Sequence, residues 1–596
     1  MIKINLSLVS LLFSLYILSS ANTYDEIITV VSKIPKEDYK VPSTVDVIDQ
    51  KLLENTLQID VLSILSNILA IDTSSNGGPG QVSSIFIRGS SSNHSLVKIN
   101  GVKINPATAG GASVYNLDTN LISKIEIASG PLSSIHGSEA IGGVVKISTR
   151  NNTLNDSMKL GLMYGPDNHS KKYMQGNLTF NKTSLNITFL NNNSNGFPVL
   201  RNSLIDRGYD NKSFVSDLSY NSKNLDASFS SWSSKGNVEY LVFNNPVAQD
   251  YINQAQAIEV SLKSIKDILL ILNINSFEDL IIQNNPNYLG ILDLTKTKRN
   301  TYEVLIHKPN KERLSYSGGY VLENEDVNYS SYGTLFRKGL QTKAYFGTTE
   351  WQSSNNAFIG SIRKSFHDLH GSQLSWNIGF IKELNTNWFL SFSSGEAFRS
   401  PNSSELYGFG SNKELVPEAS KSYEIGFSKR KKNNNLKIVL FKSNTLNLIN
   451  YDFSDHILKN IEESTNHGLE LRYKWNNNFS YGSLLVRKQD PKDKDNNLLI
   501  RRSKKSASLN ITKDIMGYSL GMNLSAFGKK NDFENHKLPG YLLINLTAQK
   551  DINNKLSFSL RIENFTNKNY FTAASSTSYY LNQDRSLWLK LNYKLR

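Results

Sequence analysis

From Met158 to the C-terminus the chain repeats one pattern: segments about ten residues long in which apolar and polar positions alternate, separated by clusters of Asn, Gly, Ser, Asp and Lys. Leu469, Leu471, Tyr473 and Trp475 alternate with Glu470, Arg472 and Lys474, and Leu185, Ile187 and Phe189 with Ser184, Asn186 and Thr188. Leu556, Phe558, Leu560 and Ile562 stand against Ser557, Ser559 and Arg561. The chain ends on Leu587, Leu589, Leu591, Tyr593 and Leu595 against Trp588, Lys590, Asn592 and Lys594. Successive strand side chains point to opposite faces, so each segment predicts a strand between an apolar and a wet environment. A soluble sandwich and a membrane barrel both supply that, and alternation alone does not choose. The number of segments, aromatic residues near strand ends, and 27 Phe with 28 Tyr favour an all-β transmembrane barrel. About 446 residues follow Arg150, and at roughly 20 residues per strand and turn they predict about 22 antiparallel strands. A barrel of that size encloses a lumen large enough to need a plug.

Residues 22–150 read differently. Val61 to Ala70 has the spacing of a short amphipathic helix, followed by strands and Gly-rich turns, as in a small α/β domain. Ahead of it, Lys3, an apolar run from Ile4 to Leu18, and the small residues Ser19, Ser20 and Ala21 predict a signal peptide cleaved before Asn22. That run is short of the roughly 20 residues of a spanning helix. The apolar stretch Ile268 to Leu272 is broken at once by Asn273 and Asn275, so a helical membrane protein is excluded. The expected divisions are a signal peptide over 1–21, a linker over 22–40, a plug over 41–150 and a barrel over 151–596.

Composition narrows the chemistry. With no cysteine among 596 residues there are neither disulfides nor thiolate metal sites. The net charge of +14 is spread through Asn- and Ser-rich segments and not gathered in a tract, which predicts no nucleic-acid partner but a solvated or lipopolysaccharide-facing surface. Nine dispersed His, no GxSxG and no recognisable Ser, His and Asp set argue against an enzyme.

In the N-terminal domain, Asn76 to Asn100 (NGGPGQVSSIFIRGSSSNHSLVKIN), Gly101-Val102 and Gly130 to Thr149 (GPLSSIHGSEAIGGVVKIST) occur in order and span nearly the whole domain. This set resembles the plug of TonB-dependent outer-membrane receptors, most nearly those for vitamin B12 (cobalamin). Physically, Ile85 and Ile87 predict a buried strand, and Arg88-Gly89 a turn whose charge must find a partner inside the barrel. Gly137, Gly142 and Gly143 permit turns and close backbone approach, and Val144, Val145 and Ile147 predict the strand leading to the barrel wall. His136, where the family usually has Tyr, reads as a packing residue and not a metal ligand.

Asp25 to Ser32 (DEIITVVS) is similar to the family's TonB box. Its β-branched run favours an extended strand able to add to a partner's sheet edge, which makes Asp25, Glu26, Ile27, Ile28, Thr29, Val30 and Val31 the expected TonB-binding residues. In the barrel, Ala397 to Tyr407, Leu415 to Glu418, Ser422 to Gly426, Asn447 to Asp452 and Glu563 to Tyr570 resemble family stretches of mainly architectural value. One departure concerns calcium: receptors for cobalamin carry an acidic loop cluster, whereas Asn191 to Ser213 offers only Asp206 and Asp210, so no tight calcium site is expected. A second is the Leu595-Arg596 terminus, where such barrels usually end in an aromatic residue.

The resemblance implies energised import across the cell outer membrane, with TonB and its inner-membrane complex as partners, no cofactor, and no bond changed in the ligand. Ligand contacts fall to the upper plug loops at Ser91, Asn93, His94, Pro106, Gly110, Gly111 and Tyr115, the glycines for flexibility and Tyr115 for a stacking face. Cobalamin or a related corrinoid is the favoured cargo, a ferric siderophore the alternative, and a passive porin the reading from a different class. The barrel loops expected to decide among cargoes, such as Gly236 to Gln256, carry no recognisable motif.

Overall fold

The computed structural model describes residues 26–150, 156–242, 245–263, 267–284, 293–309, 313–452 and 454–595. Residues 1–21, expected as a signal peptide, Asp25 of the expected TonB-binding residues, and Arg596 lie outside the described residues. From Ser157 onward the alternating segments pair in sequence order into a closed antiparallel barrel of 22 strands, sealed where Ser157–Tyr164 pairs with Ser586–Lys594. The sealing strands show how alternation sets the two faces: Leu587 and Tyr593 point outward, 50% and 39% exposed, while Trp588 and Asn592 are buried inside. Leu469 and Glu470 divide in the same way. Among the described residues no helix is long and apolar enough to cross a membrane.

The two ends of the barrel differ. One end carries tight turns, such as residues 181–182 and 516–517, and the other carries the longer connections 195–208, 400–417, 490–504 and 564–585. Several strands run far past the band they must cross. Ile457–Asn476 has 20 residues, about 65 Å of strand, against an apolar band about 25 Å tall. The segment Gly236 to Gln256, expected as a loop, is therefore mostly strand: it belongs to Leu225–Val242 and Asn245–Lys263, which pair beyond the apolar band. The hairpin joining Leu314–Ser331 to Thr334–Gln352 turns on Tyr332 and Gly333 alone, at φ 49° and 75°, the two positive values a tight two-residue hairpin needs.

The N-terminal domain fills the lumen. Its sheet runs Val45–Ile48, Lys124–Ser129, Gly143–Ser148, Ser95–Ile99 and Val102–Lys103, all antiparallel except the parallel pair Gly143–Ser148 and Ser95–Ile99. At Gly143 a Cβ would lie 2.4 Å from the Ala128 carbonyl, so only glycine lets these strands close. The helix expected over Val61 to Ala70 is a short α-turn, Val61–Ser63, capped by Asp60, which widens into the π-turn Ile64–Ile68 and stops before Ala70 at φ 49°. Its burial keeps a helical period, with Val61, Ile64, Leu65 and Ile68 buried and Leu62, Ser63 and Ser66 partly exposed. Asn67 on its polar side is buried too, its carbonyl accepting from wall residues Ser508 (2.6 Å) and Asn523 (2.7 Å). The plug core is continuous with the wall, where Tyr173, Trp232 and Phe277 pack against its Ile, Leu and Val side chains.

Candidate functional site

Ile85 lies in the buried strand Ser83–Phe86, whereas Ile87 already lies in the turn Ile87–Gly89, which holds Arg88 at φ 48°. That turn aims the guanidinium sideways into the wall, where Nη1 donates to Glu424 at 2.7 Å and Nη2 to Glu470 at 2.9 Å. Glu470 also takes Arg487 Nε at 2.8 Å and Arg472, which reaches back to plug Asp46 at 3.0 Å. Thr44 of the plug donates to Glu424 at 2.6 Å. Three arginines thus face three carboxylates in a buried, charge-balanced lattice shared by plug and wall. Removing one member would leave an uncompensated charge, so the lattice fixes the plug's position more than it adds net stability. A second anchor is plug Asp72, which accepts from Ser503 Oγ at 2.7 Å and pairs with the buried Lys530 at 2.9 Å.

Toward the long-loop end, three of the barrel stretches singled out in the sequence, Ala397 to Tyr407, Leu415 to Glu418 and Asn447 to Asp452, converge on Glu418. It receives Arg399, the Ile449 amide (2.9 Å) and His94 Nε2 (2.9 Å), while Arg399 also holds Glu405 of the short helix Ser403–Tyr407 at 2.8 Å. His94 is thereby buried as a strut, and Pro106 is buried as well. Of the other expected ligand residues, Gly110 is exposed, and Ser91, Asn93, Gly111 and Tyr115 are partly so. Ser92 Oγ donates to the Gly110 carbonyl at 2.8 Å and so joins the two upper plug loops. Beside them the wall is aromatic. Tyr329 stacks on Phe336 at 4.9 Å, Phe336 meets Tyr407 at 5.7 Å, and Lys338 and Lys413 lie over the Tyr407 ring.

Toward the tight-turn end, the box segment departs from the extended strand expected of it. Only Ile27–Ile28 is strand, paired back onto Lys36–Glu37, and the chain turns through Val30 to Lys33. Ile28 and Val30 are fully buried. The edge expected to add to a partner's sheet is therefore already occupied. The Thr29 and Val30 amides donate to one oxygen of Glu126 at 2.8 and 2.9 Å, Lys124 donates to the Ile27 carbonyl and Lys146 to the Thr29 hydroxyl. His136 does more than pack: its Nε2 lies 2.6 Å from the Val30 carbonyl. The hairpin is also tied to the wall through Lys33 and Glu303 (2.6 Å), Lys36 and Glu350, Glu26 and Lys474 (3.1 Å), and Asp38 and Arg430 (3.0 Å).

Burial raises the Glu126 pKa, but Lys146, Lys124 and the Thr29 amide outweigh it and leave it below the usual carboxylate range. Burial, reinforced by Lys98 and Lys33, pushes His136 well below the usual histidine value, so the ring is neutral and its Nε2–H donates to Val30. The alternation placed Glu470 on the lumen face without naming its partner. Glu126 and Glu303 carried no sequence signal, because their partners lie 97 and 270 residues away. Asp206 is exposed at the 195–208 connection and Asp210 lies in the strand Tyr209–Asn221; among the described residues no three His, Cys, Asp or Glu side chains are grouped to hold a metal.

A barrel closed around its own N-terminal domain, with an N-terminal segment folded against the tight-turn mouth, defines a gated outer-membrane receptor. The family models agree: one described as TonB dependent receptor-like, beta-barrel matches residues 148–565, and the TonB-dependent Receptor Plug Domain matches residues 37–144. The chain belongs to the TonB-dependent receptors, a family of outer-membrane transport proteins and not of enzymes, and the passive-porin alternative falls with it. It is 27% identical to a vitamin B12 transporter BtuB of Vibrio vulnificus and 25% identical to one of Photobacterium profundum, covering 96% of this chain in each case and 96% and 95% of those proteins. The fold is shared with the FrpB iron transporter of Neisseria meningitidis (TM-score 0.80, 13% identity, 94% of this chain and 100% of that one). It is shared too with the ferripyoverdine receptor of Pseudomonas aeruginosa (TM-score 0.80, 12% identity, 97% and 90%).

Proposed function

We propose that this receptor imports cobalamin or a related corrinoid. Ligand lands on the upper plug loops at Ser91, Asn93, Gly110, Gly111 and Tyr115, and the segment Glu26 to Val31 couples transport to TonB once it leaves its dock. The observation that carries the coupling half is that dock: a β-branched strand held by hydrogen bonds at its backbone can exchange them for those of a partner's sheet edge. The cargo half rests on likeness over nearly the full length to vitamin B12 transporters. The aromatic wall with Lys338 and Lys413 favours the second reading, a ferric siderophore, because stacked rings beside ammonium groups suit a flat anionic ligand. The outward apolar band contacts membrane lipid, with lipopolysaccharide in the outer leaflet.

Uptake of labelled cobalamin by energised cells that carry this chain in place of their own receptor tests the proposal. The expected result is uptake by the wild type, abolished by Ile28→Pro, since proline removes the amide that strand pairing needs. No uptake by a correctly inserted wild-type barrel refutes the cobalamin assignment.

A further inference from the structure

The outer face of the barrel carries a feature that nutrient import does not use. Across strands Ser170–Phe180, Thr183–Ser194, Tyr209–Asn221 and Leu225–Val242, the pairing places Lys172 opposite Asn191, Asn191 opposite Lys212, and Lys212 opposite Lys235. All three lysines are exposed, and among the described residues none has a carboxylate within ion-pair distance. Asp210 and Asp250 lie on the next row outward, where Asn237 donates to Asp250 at 2.8 Å. Like charges directly opposite on neighbouring strands repel, so the register of Lys212 against Lys235 is unfavourable unless an anion lies between them.

Below that row the wall is concave. A groove of about 950 Å³ runs from the lysines down over Leu160, Leu162, Phe189, Phe214 and Leu591. Leu160, Leu162, Phe189 and Leu591 are 39–47% exposed, and Phe189 meets Phe214 at 4.9 Å. On the first of these strands Lys172 stands eight residues from Phe180 at the tight turn, about 27 Å of strand and about 20 Å of height once tilted. The ammonium row therefore sits at the upper edge of the apolar band, at the headgroup level of the outer leaflet.

We infer that this groove is a binding site for a phosphorylated, multiply acylated lipid of the outer leaflet, the lipid A moiety of lipopolysaccharide. Its phosphates bridge Lys172, Lys212 and Lys235, and its acyl chains fill the groove below. The lysines donate charge-assisted hydrogen bonds to phosphate oxygens, and the apolar lining takes chains that a soluble anion lacks. The inference rests on the outer face being lipid-facing and not on the identity of the cargo.

The test is native mass spectrometry of the full barrel, extracted from outer membranes in mild detergent and titrated at low salt with hexa-acylated, bis-phosphorylated lipid A. One lipid A per wild-type barrel is expected. The triple variant Lys172→Gln, Lys212→Gln, Lys235→Gln should bind about a hundredfold more weakly. Replacing the same three by Arg should preserve binding, and Lys364→Gln, several strands away, should leave it unchanged. Three results overturn the site: the triple Gln variant binding lipid A within threefold of wild type, dephosphorylated lipid A binding as tightly as the phosphorylated form, or phosphatidylglycerol matching lipid A. Failure of the wild-type barrel to reach the outer membrane at all would instead remove the lipid-facing reading on which the site depends.

Discussion

Replacing Glu126 by Ala should open the box segment. In the docked state one Glu126 oxygen holds the Thr29 and Val30 amides at 2.8 and 2.9 Å, and Val30 is fully buried. A hydrogen bond to a charged acceptor contributes about 1.5–3 kcal/mol, so losing two shifts docking by at least about 3 kcal/mol, or about a hundredfold. Burial of Ile28 still holds the segment, at about 1.5–3 kcal/mol, together with the smaller apolar side chain at position 30 of the reporter variant and the ion pairs to the wall. The docked form therefore stays in the majority, and the measured rate scales with opening without saturating. The chain has no cysteine, so Val30→Cys gives a single reporter thiol. Maleimide labelling of Val30→Cys in otherwise wild-type protein is expected to be slow, and about a hundredfold faster with Glu126→Ala. Glu126→Gln, which keeps an oxygen but not the charge, should fall between. An acceleration below threefold in a barrel that still shows heat-modifiable mobility would refute the dock as described.

The same labelling should respond to acid. Burial, with Lys98 and Lys33, holds His136 well below its ordinary 6.5 against the opposing Val30 hydrogen bond, so the unfolded chain binds more protons below that value, and the stability His136 gives the folded plug and its docked segment is complete above that pH and lost as pH falls. The depressed Glu126 carboxyl adds a second loss at lower pH, below its ordinary 4.5. Only the thiolate reacts, so labelling is read as a ratio to a fully exposed cysteine at the same pH; that ratio should rise as pH falls below about 6.5 and further below about 4.5, and a flat ratio from pH 7 to 5 in a folded barrel would refute a buried, neutral His136. Arg88→Ala leaves Glu424 and Glu470 short of a partner in a dry interior and should destabilise the plug's seat by about 3–5 kcal/mol. Urea titration of plug proteolysis should show the loss, and an unchanged midpoint would mean the lattice carries no positional role.

The strands, their inward and outward faces, and the division into plug and barrel were legible because a period-2 pattern is local: each residue's face follows from its neighbours, and lipid on one side with lumen on the other makes that pattern strong. The strand count followed from length. The ordered plug motifs carried the family, since turns at Arg88-Gly89 and close approach at Gly143 demand particular residues wherever they occur.

What the pattern left open was decided by contacts between distant parts of the chain. The β-branched box reads as a strand free to pair. In the folded molecule its backbone is satisfied by Glu126, 97 residues on, and its ends are tied to barrel residues Glu303 and Lys474. His136 reads as a core residue and becomes a hydrogen-bond donor to the box, and His94 reads as a ligand contact and becomes a strut for Glu418. The helix at Val61 keeps its buried face but stops early, and the wall takes the Asn67 carbonyl that a further turn would have satisfied. In each case the amino-acid sequence determined what a side chain could donate, accept or bury. Only tertiary folding brought the partner within reach, within the N-terminal domain for Glu126 and His136 and by closure of the barrel around it for Glu418, Glu303 and Lys474, because burial removes water as the alternative partner and so makes each pairing necessary.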